Sequence, residues 1–268
     1  MLGATGARPL SGGTDLIVQL KSGRNRPNAI VDLKKIPGMI GIEAYKGGFK
    51  IGASTAGAQL GENAALVKAY PGVVEGAELI GSTQVQGRAS LAGNLCNASP
   101  AADSVPCLAA AGAIAVVVGP DGEREVLVEK IPVSPGKTSL KAGEFIKAFI
   151  LPERPAHASD AYLRFIPRTE MDIAVVGAGV NIVTDGAGTI TAATVWLGAV
   201  APTIVQVDAS CLVGTKLDDA ALAKLDAAAQ AVCKPIDDKR GTIEYRTKVA
   251  GVLARRAAAI ALKRAGER

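Results

Sequence analysis

The stretch at residues 87–106, GRASLAGNLCNASPAADSVP, most constrains this chain, because it has small residues where an ordinary globular segment has large ones. Its glycines and alanines leave the main chain bare, while Asn94, Asn97 and Ser99 add short polar groups and Asp103 adds the one carboxylate of the stretch. Bare amides that point one way form an anion-binding nest, and a diphosphate is a common ligand of such a nest. The stretch predicts a phosphate-binding loop; a polar turn between two buried elements is the alternative.

A second candidate loop lies near the N-terminus, in the sequence Leu-Ser-Gly-Gly-Thr-Asp-Leu at residues 10–16. Gly12 and Gly13 permit close approach of a ligand to the backbone, and Ser11 and Thr14 add hydroxyl donors. The segment is neither a P-loop nor a GxGxxG motif, and Thr14 or Asp15 as an ordinary helix N-cap is the alternative. Two such loops in one domain can grip the two ends of an extended dinucleotide.

Composition narrows the class of protein. The 268 residues suffice for one large domain or a few smaller ones, and a hydrophobic share of 49% with only 3% aromatics predicts a core of Ala, Val, Leu and Ile. The net charge of +5 is spread without basic runs among aromatics, which argues against nucleic-acid binding.

Four scattered cysteines without a CxxC motif predict reduced thiols in a cytoplasmic protein and no metal site. The longest apolar run, residues 107–118, is too short for a membrane span.

Hydrophobic periodicity and turn residues predict an ordered series of elements. Strands or hairpins are predicted at residues 29–33 (a buried strand), 41–54, 114–118 with 125–128, 137–151, and 174–183 with 189–200, with Trp196 on the buried face of the last hairpin. Helices are predicted at residues 55–70, 73–80, 108–113, 218–231 and 242–264. On the last helix, the charged side chains of Arg246, Lys248, Arg255, Arg256 and Lys263 are predicted to form a solvated face.

Seven fragments follow one another along the chain: ARPLSGGTDL, IVDLKKIPG, FKIGAST, IGSTQVQGRASLAGNLCNASPAADSVP, YLRFIPRTEMDIAVVG, LGAVAPT and PIDDKRGTIEYR. In this order they resemble the FAD-binding medium subunits of the molybdenum hydroxylases, the family that includes xanthine dehydrogenase and aerobic carbon monoxide dehydrogenase. The resemblance implies an α+β fold, with a two-subdomain FAD-binding α/β domain of the PCMH type followed by an antiparallel sheet with helices. We expect the first domain at residues 1–152, with subdomains at about 1–53 and 54–152, a linker at 152–158, and the second domain at 159–268. The family usually begins with a further strand and helix, of which only LGATG at residues 2–6 is present here.

The resemblance also implies a set of FAD-binding residues. The first loop, which would wrap the diphosphate, comprises Pro9, Leu10, Ser11, Gly12, Gly13, Thr14, Asp15 and Leu16. The second loop comprises Ser90, Ala92, Gly93 and Asn94, while Ile80 would lie near the ring system, Asp103 would accept hydrogen bonds from the ribityl or adenosine side, and Arg164 stands where relatives often carry Lys near the flavin. Ala92 replaces a glycine of the family's Thr-Ile-Gly-Gly-Asn motif, a costly change if that position has positive φ.

The function that the resemblance implies is a relay of electrons, with no catalytic side chain of the chain's own. A large subunit would carry the molybdopterin cofactor, a small subunit would carry two [2Fe-2S] clusters, and the FAD of this chain would pass electrons to a terminal acceptor, in a dimer of heterotrimers. The alternatives are a flavin-deficient assembly subunit of the same fold and a free-standing flavoprotein oxidase.

Overall fold

Two antiparallel sheets organise the protein, and helices pack against both, so the predicted α+β class is confirmed. The computed structural model describes residues 2–3 and 6–268; the predicted helix remnant at residues 2–6 therefore lies partly outside the described residues. The strands are β1 (Ala7–Leu10), β2 (Ala29–Asp32), β3 (Ile42–Tyr45), β4 (Gly48–Gly52), β5 (Ile114–Gly119), β6 (Gly122–Leu127), β7 (Pro132–Ser134), β8 (Lys137–Thr138), β9 (Phe145–Leu151), β10 (Ala158–Phe165), β11 (Val176–Thr184), β12 (Ile190–Gly198) and β13 (Val205–Val207). The helices are α1 (Leu16–Lys21), α2 (Gly57–Glu62), α3 (Ala64–Ala69), α4 (Pro71–Glu78), α5 (Thr83–Gln86), α6 (Leu91–Cys96), α7 (Ser104–Ala110), α8 (Asp219–Ala231) and α9 (Ile243–Gly266).

The first sheet has five strands in the order β3-β4-β9-β5-β6, all antiparallel. Its hairpins β3–β4 and β5–β6 are the two predicted from Gly-rich turns. Between these hairpins runs β9, which places Phe149 in the core with Leu60 of α2 and Leu91 of α6. The chain thus folds back on itself so that residues near 50, 90 and 150 share one hydrophobic core.

A small parallel pair, β1 with β2, stands apart from this sheet and presents the first glycine-rich loop at the end of β1. The prediction of a buried strand at residues 29–33 is wrong for most of its length: Ile30 is 46% exposed, whereas Leu33, just after the strand, is buried. Leu33 therefore anchors the end of β2 in the core, with Val31 partly buried against it, and the Leu33 amide donates to the carbonyl of Leu10.

Several helix predictions differ from the structure for local reasons. The predicted helix at 55–70 is broken at Asn63, which has a non-helical backbone and caps α3 by accepting a hydrogen bond from the Leu66 amide at 2.9 Å. The helix predicted at 108–113 instead begins at Ser104, because Pro106 falls in the first turn of α7, where no amide donor is needed. The predicted loop at 87–106 contains the helix α6.

The second sheet has four strands in the order β10-β11-β12-β13 and lies between two helical layers. On one side α9 packs against β10 and β11; on the other, α4 packs against β10 and α7 against β11. Trp196 of β12 is half-buried and packs against the first hydrophobic core, so it joins the two halves of the protein.

The prediction of a fully solvated face on the last helix is wrong for Arg246, whose side chain is 4% exposed. Its guanidinium donates to the carbonyl of Val175 at 2.9 Å and pairs with Asp238 at 2.7 Å. Lys248 and Lys263 are solvated as predicted. Within the described residues, no helix combines the length and hydrophobicity that crossing a bilayer requires.

Candidate functional site

The two glycine-rich loops touch each other through their backbones. A Cβ atom added at Gly12 would lie 2.7 Å from the carbonyl carbon of Arg88 and closer still to its oxygen, so only glycine fits there. Gly13 adopts φ +83°, a conformation that glycine takes without strain. The second loop is fixed from behind, since the Gly57 amide at the start of α2 donates to the carbonyl of Ala89 at 2.8 Å. The first glycine of the pair is therefore required by loop–loop packing.

Three serine hydroxyls connect the loops to the first sheet. Ser11 donates its hydroxyl to Ser54 Oγ, just after β4, over 2.9 Å, and its oxygen lies 2.8 Å from Ser90 Oγ. Because a serine hydroxyl has a single proton, Ser90 is the donor to Ser11. Ser54 and Ser90 are buried, so the chain of hydroxyls holds three separate segments in one arrangement.

The second loop enters helix α6 directly, and Ser90 is the N-cap of that helix, accepting from the Gly93 amide at 3.3 Å. Ala92 lies in the first turn with a helical backbone, so its methyl group carries none of the strain expected for positive φ. Asn94 faces α7: its Oδ1 accepts from the amide and the hydroxyl of Ser104, at 3.1 and 2.7 Å. Asn94 thus ties α6 to α7.

A cavity of about 300 Å³ lies where the loops converge. Most of the predicted site residues line it: Pro9, residues 11–16, Ile80, Ser90, Ala92, Gly93 and Asn94. A second cavity of about 430 Å³ shares Arg8, Pro9, Leu140 and Glu144 with the first. The two cavities are therefore neighbours, with residues from the end of β1 and the segment before β9 between them.

Three predicted site residues, Leu10, Asp103 and Arg164, do not line either cavity. Arg164 forms a buried ion pair with Asp103 at 3.0 Å and also donates to the carbonyl of Leu79 at 2.6 Å. Tyr162 donates its hydroxyl to Asp103 at 3.1 Å. Burial raises the pKa of Asp103 to about 6, although Arg164 and Tyr162 favour its ionised form. The pair acts on the cavity indirectly, by fixing the backbone next to Ile80.

One wall of the cavity is not predicted from the sequence; the segment leading into β9 forms it. Its lining residues are Thr138, Leu140, Glu144, Phe145 and Ile146. Glu144 is held in place by Arg124 of β6, with two hydrogen bonds of 2.8 and 2.9 Å, and these bonds lower the pKa of Glu144 to about 2. The strand pattern at residues 137–151 is visible in the sequence, but no local signal shows that the start of β9 faces the loops.

Comparison with known proteins identifies the family of the chain. The family described as "FAD binding domain in molybdopterin dehydrogenase" matches residues 2–154, and the "CO dehydrogenase flavoprotein C-terminal domain" matches residues 161–261. The chain belongs to the FAD-binding subunits of the molybdopterin dehydrogenases. The resemblance seen in the sequence is thereby confirmed, and the protein is an oxidoreductase subunit with FAD as its cofactor.

Individual members of this family match along the chain. The carbon monoxide dehydrogenase medium chain of Afipia carboxidovorans is 34% identical over 261 residues, 97% of this chain and 90% of that protein. The putative xanthine dehydrogenase FAD-binding subunit of Escherichia coli K12 is 31% identical over 202 residues, 75% of this chain and 69% of that protein. The solved carbon monoxide dehydrogenase of Hydrogenophaga pseudoflava that lacks the Mo-pyranopterin moiety has a TM-score of 0.92 at 29% identity, covering 97% of this chain and 91% of that chain.

The residues of the site fit the cofactor of this family. Hydroxyls and glycine-rich backbone suit a diphosphate, and the side chains of Ile80, Leu140, Phe145 and Ile146 give apolar surface for aromatic rings.

Proposed function

We propose that this chain is the FAD-carrying electron-transfer subunit of a molybdenum-containing hydroxylase or dehydrogenase. It would relay electrons from [2Fe-2S] clusters of a partner subunit to a terminal acceptor. The observation that carries the proposal is the cavity between the two loops, whose hydroxyl chain Ser90–Ser11–Ser54 and backbone contact at Gly12 pre-form a dinucleotide site.

The roles of the residues follow from their positions. The first loop from Ser11 to Leu16, with Pro9 at its start, and the second from Ser90 to Asn94 would hold the diphosphate. Ile80 would contact the ring system, and Arg164 would position Ile80 by fixing the neighbouring Leu79 carbonyl. Direct contacts of Leu10, Asp103 and Arg164 with FAD stay predictions. Bound FAD supplies the redox chemistry, and the protein supplies position and electrostatics.

The partners in this proposal are a large molybdopterin-binding subunit and a small iron–sulfur subunit. The names of two relatives support the molybdenum-bearing partner: the Afipia relative is called a medium chain, which implies further chains, and the Hydrogenophaga enzyme is named with a molybdenum cofactor. A division of labour also explains why a subunit of this kind needs no acid, base or nucleophile constellation of its own.

Flavin content tests the proposal first. The purified chain should be yellow, and denaturation should release FAD in a ratio near one per chain, measured by absorbance and by fluorescence of the released flavin. A colourless chain that cannot be reconstituted with FAD would overturn the proposal in favour of a flavin-deficient assembly subunit.

The relay is tested in the complex. Affinity purification from the native cell should recover a molybdenum-bearing chain and an iron–sulfur chain with this protein. When FAD is stripped from that complex, its substrate should still reduce the clusters but no longer deliver electrons to an acceptor dye. Undiminished dye reduction would contradict the relay, and isolation as a lone substrate-oxidising flavoprotein would favour a free-standing oxidase.

A further inference from the structure

Lys34 follows strand β2 and reaches back to the first glycine-rich loop. Its Nζ donates to the carbonyl oxygen of Ser11 at 2.9 Å and lies 2.7 Å from Asp32 Oδ1. The Asp32 carboxylate also accepts from the Lys34 amide at 3.0 Å, so both ends of the lysine are fixed. The lysine is not part of the cavity lining, whereas Ser11 and Gly12 are. It therefore touches the site from behind.

The geometry of the peptide unit gives this contact a consequence. The bond between Ser11 and Gly12 is trans, and in a trans peptide the C=O and N–H groups point in opposite directions. Since the Ser11 carbonyl points to Lys34, which does not line the cavity, the Gly12 amide points away from Lys34.

We propose that Lys34 is a positioning residue, which orients the Gly12 amide toward the diphosphate of the cofactor by holding the Ser11 carbonyl on the far side of the loop. This inference rests on the proposed function. A loop that binds an anion must present amides and withhold carbonyl oxygens, because the partial negative charge of an inward carbonyl repels phosphate. Lys34 holds the carbonyl oxygen of Ser11 away from the anion, next to the point where the two loops meet. The Lys34 ammonium also adds positive charge behind the loop.

The hydrogen bond from Lys34 to the backbone allows the positioning role to be distinguished from a general effect of positive charge. Lys35, the next residue, is exposed and carries the same charge, so it provides a matched control. Asp32 provides a second control, since Asp32→Asn removes the ion pair of Lys34 and leaves its bond to Ser11 possible.

The experiment titrates the FAD-free chain with FAD, with ADP and with riboflavin, by calorimetry and flavin fluorescence. We expect Lys34→Met to raise the Kd for FAD and for ADP about tenfold or more and to leave the Kd for riboflavin unchanged, because riboflavin has no phosphate. Lys34→Arg should recover most of the lost affinity, and Lys35→Met and Asp32→Asn should bind FAD as the wild type does.

Each contrary result overturns a definite statement. Wild-type affinity of Lys34→Met for FAD, or an equal loss of riboflavin binding, overturns the positioning role while the proposed function stands. An equal loss in Lys35→Met assigns the effect to net charge and overturns it as well. If Lys34→Met fails to fold, as judged by circular dichroism, Lys34→Ala replaces it in the same titrations, and wild-type affinity of that variant for FAD overturns the positioning role. A wild-type chain that binds neither FAD nor ADP overturns the proposed function together with this inference.

Discussion

At the scale of single residues, Gly12 and Ala92 show that two small residues of one site have different reasons to be small. Gly12 is small because the carbonyl of Arg88 occupies the space where a side chain would begin. Ala92 is small but ordinary, because it lies in a helical turn and is largely buried in the core. Substitutions at the two positions should therefore differ in kind.

Replacement of Gly12 by alanine should separate the two loops. The added methyl meets backbone atoms, which cannot rotate away, so we expect a loss of about 1–3 kcal/mol in the free energy of unfolding and a loss of FAD retention. Urea unfolding and the ratio of flavin to protein absorbance measure both effects. Gly186→Ala, in a turn where an added Cβ meets nothing within 4 Å, serves as the control. Full flavin retention by Gly12→Ala would contradict the packing reason given for this glycine.

Replacement of Ala92 by glycine tests whether the methyl group obstructs the cofactor site. Ala92 has a helical backbone, so the fold does not need the wider conformational freedom of glycine at this position. We therefore expect Ala92→Gly to lower the free energy of unfolding by about 0.5–1 kcal/mol and to leave the FAD affinity unchanged. Chemical denaturation and calorimetric titration provide the two numbers. A clear rise in FAD affinity would show that the methyl group obstructs the cofactor.

At the scale of elements, the site depends on contacts between short helices and strands, and Asn94 illustrates this. Asn94→Ala would leave the buried amide and hydroxyl of Ser104 without their acceptor, a loss of about 1–3 kcal/mol. Ser104→Ala removes only the hydroxyl and should cost less. Thermal unfolding of both variants, with and without FAD, distinguishes a structural role from a direct one. Equal stability of Asn94→Ala and the wild type would contradict the link between α6 and α7.

The ion pair between Glu144 and Arg124, in the cavity wall that leads into β9, contributes to stability in a pH-dependent way. The pKa of Glu144 is lowered to about 2 from an ordinary value of 4.5 by its bonds to Arg124, so the pair stabilises the folded state above pH 4.5. This stabilisation is lost as the pH falls from 4.5 through 2, because the unfolded chain binds the proton first. We expect the stability difference between the wild type and Glu144→Gln to shrink over that window, by about 1 kcal/mol or less given the solvent exposure of Arg124. Urea unfolding at several pH values measures it, and a constant difference would contradict the lowered pKa.

Sequence reasoning succeeds here where local chemistry decides the structure. The hairpins β3–β4 and β5–β6 follow from glycine turns between alternating residues, and both loops of the site are predicted from small residues alone. It fails where a distant group decides. The burial of Arg246 depends on a carbonyl 71 residues away, and the wall around Phe145 depends on how β9 lies beside β5. The pairing of Arg164 with Asp103, 61 residues apart, is equally invisible to local patterns.

At the scale of the whole molecule, the end of helix α9 connects the two halves of the chain. Arg264 pairs with Glu75 of α4 and donates to the carbonyl of Asp160 in β10 at 3.0 Å. Arg268 donates to the carbonyls of Ala69 and Ala158, at 3.0 and 3.2 Å. Gly72 of α4 packs so closely on Ala161 that an added Cβ would lie 2.8 Å from the Ala161 amide nitrogen. The predicted domain boundary at residues 152–158 stays a prediction, and these contacts are what would hold such domains together.

Replacement of Arg264 by methionine should loosen this junction. We expect a lower melting temperature and faster proteolysis at residues 152–158, because the carbonyl of Asp160 loses a donor and the Glu75 carboxylate keeps only its bond from the Tyr162 amide. Differential scanning calorimetry and limited proteolysis with proteinase K, with the cut sites identified by mass spectrometry, measure these effects. Lys263→Met, at a neighbouring and 79% exposed side chain, is the matched control. Identical behaviour of the two variants would contradict a stabilising role for the arginine.

The chain of serine hydroxyls also determines when the cofactor site forms during folding. Its members are separated by 43 and 79 positions along the chain, so none of the three segments can complete the site locally. Closing such long chain segments costs conformational entropy before any stabilising contact forms. We therefore expect this part of the structure to form later than the hairpins. A nascent chain that has emerged only as far as β4 contains the first glycine-rich loop but not the second. We therefore expect cofactor capture to be a late step of folding, which couples flavin supply to the amount of mature protein.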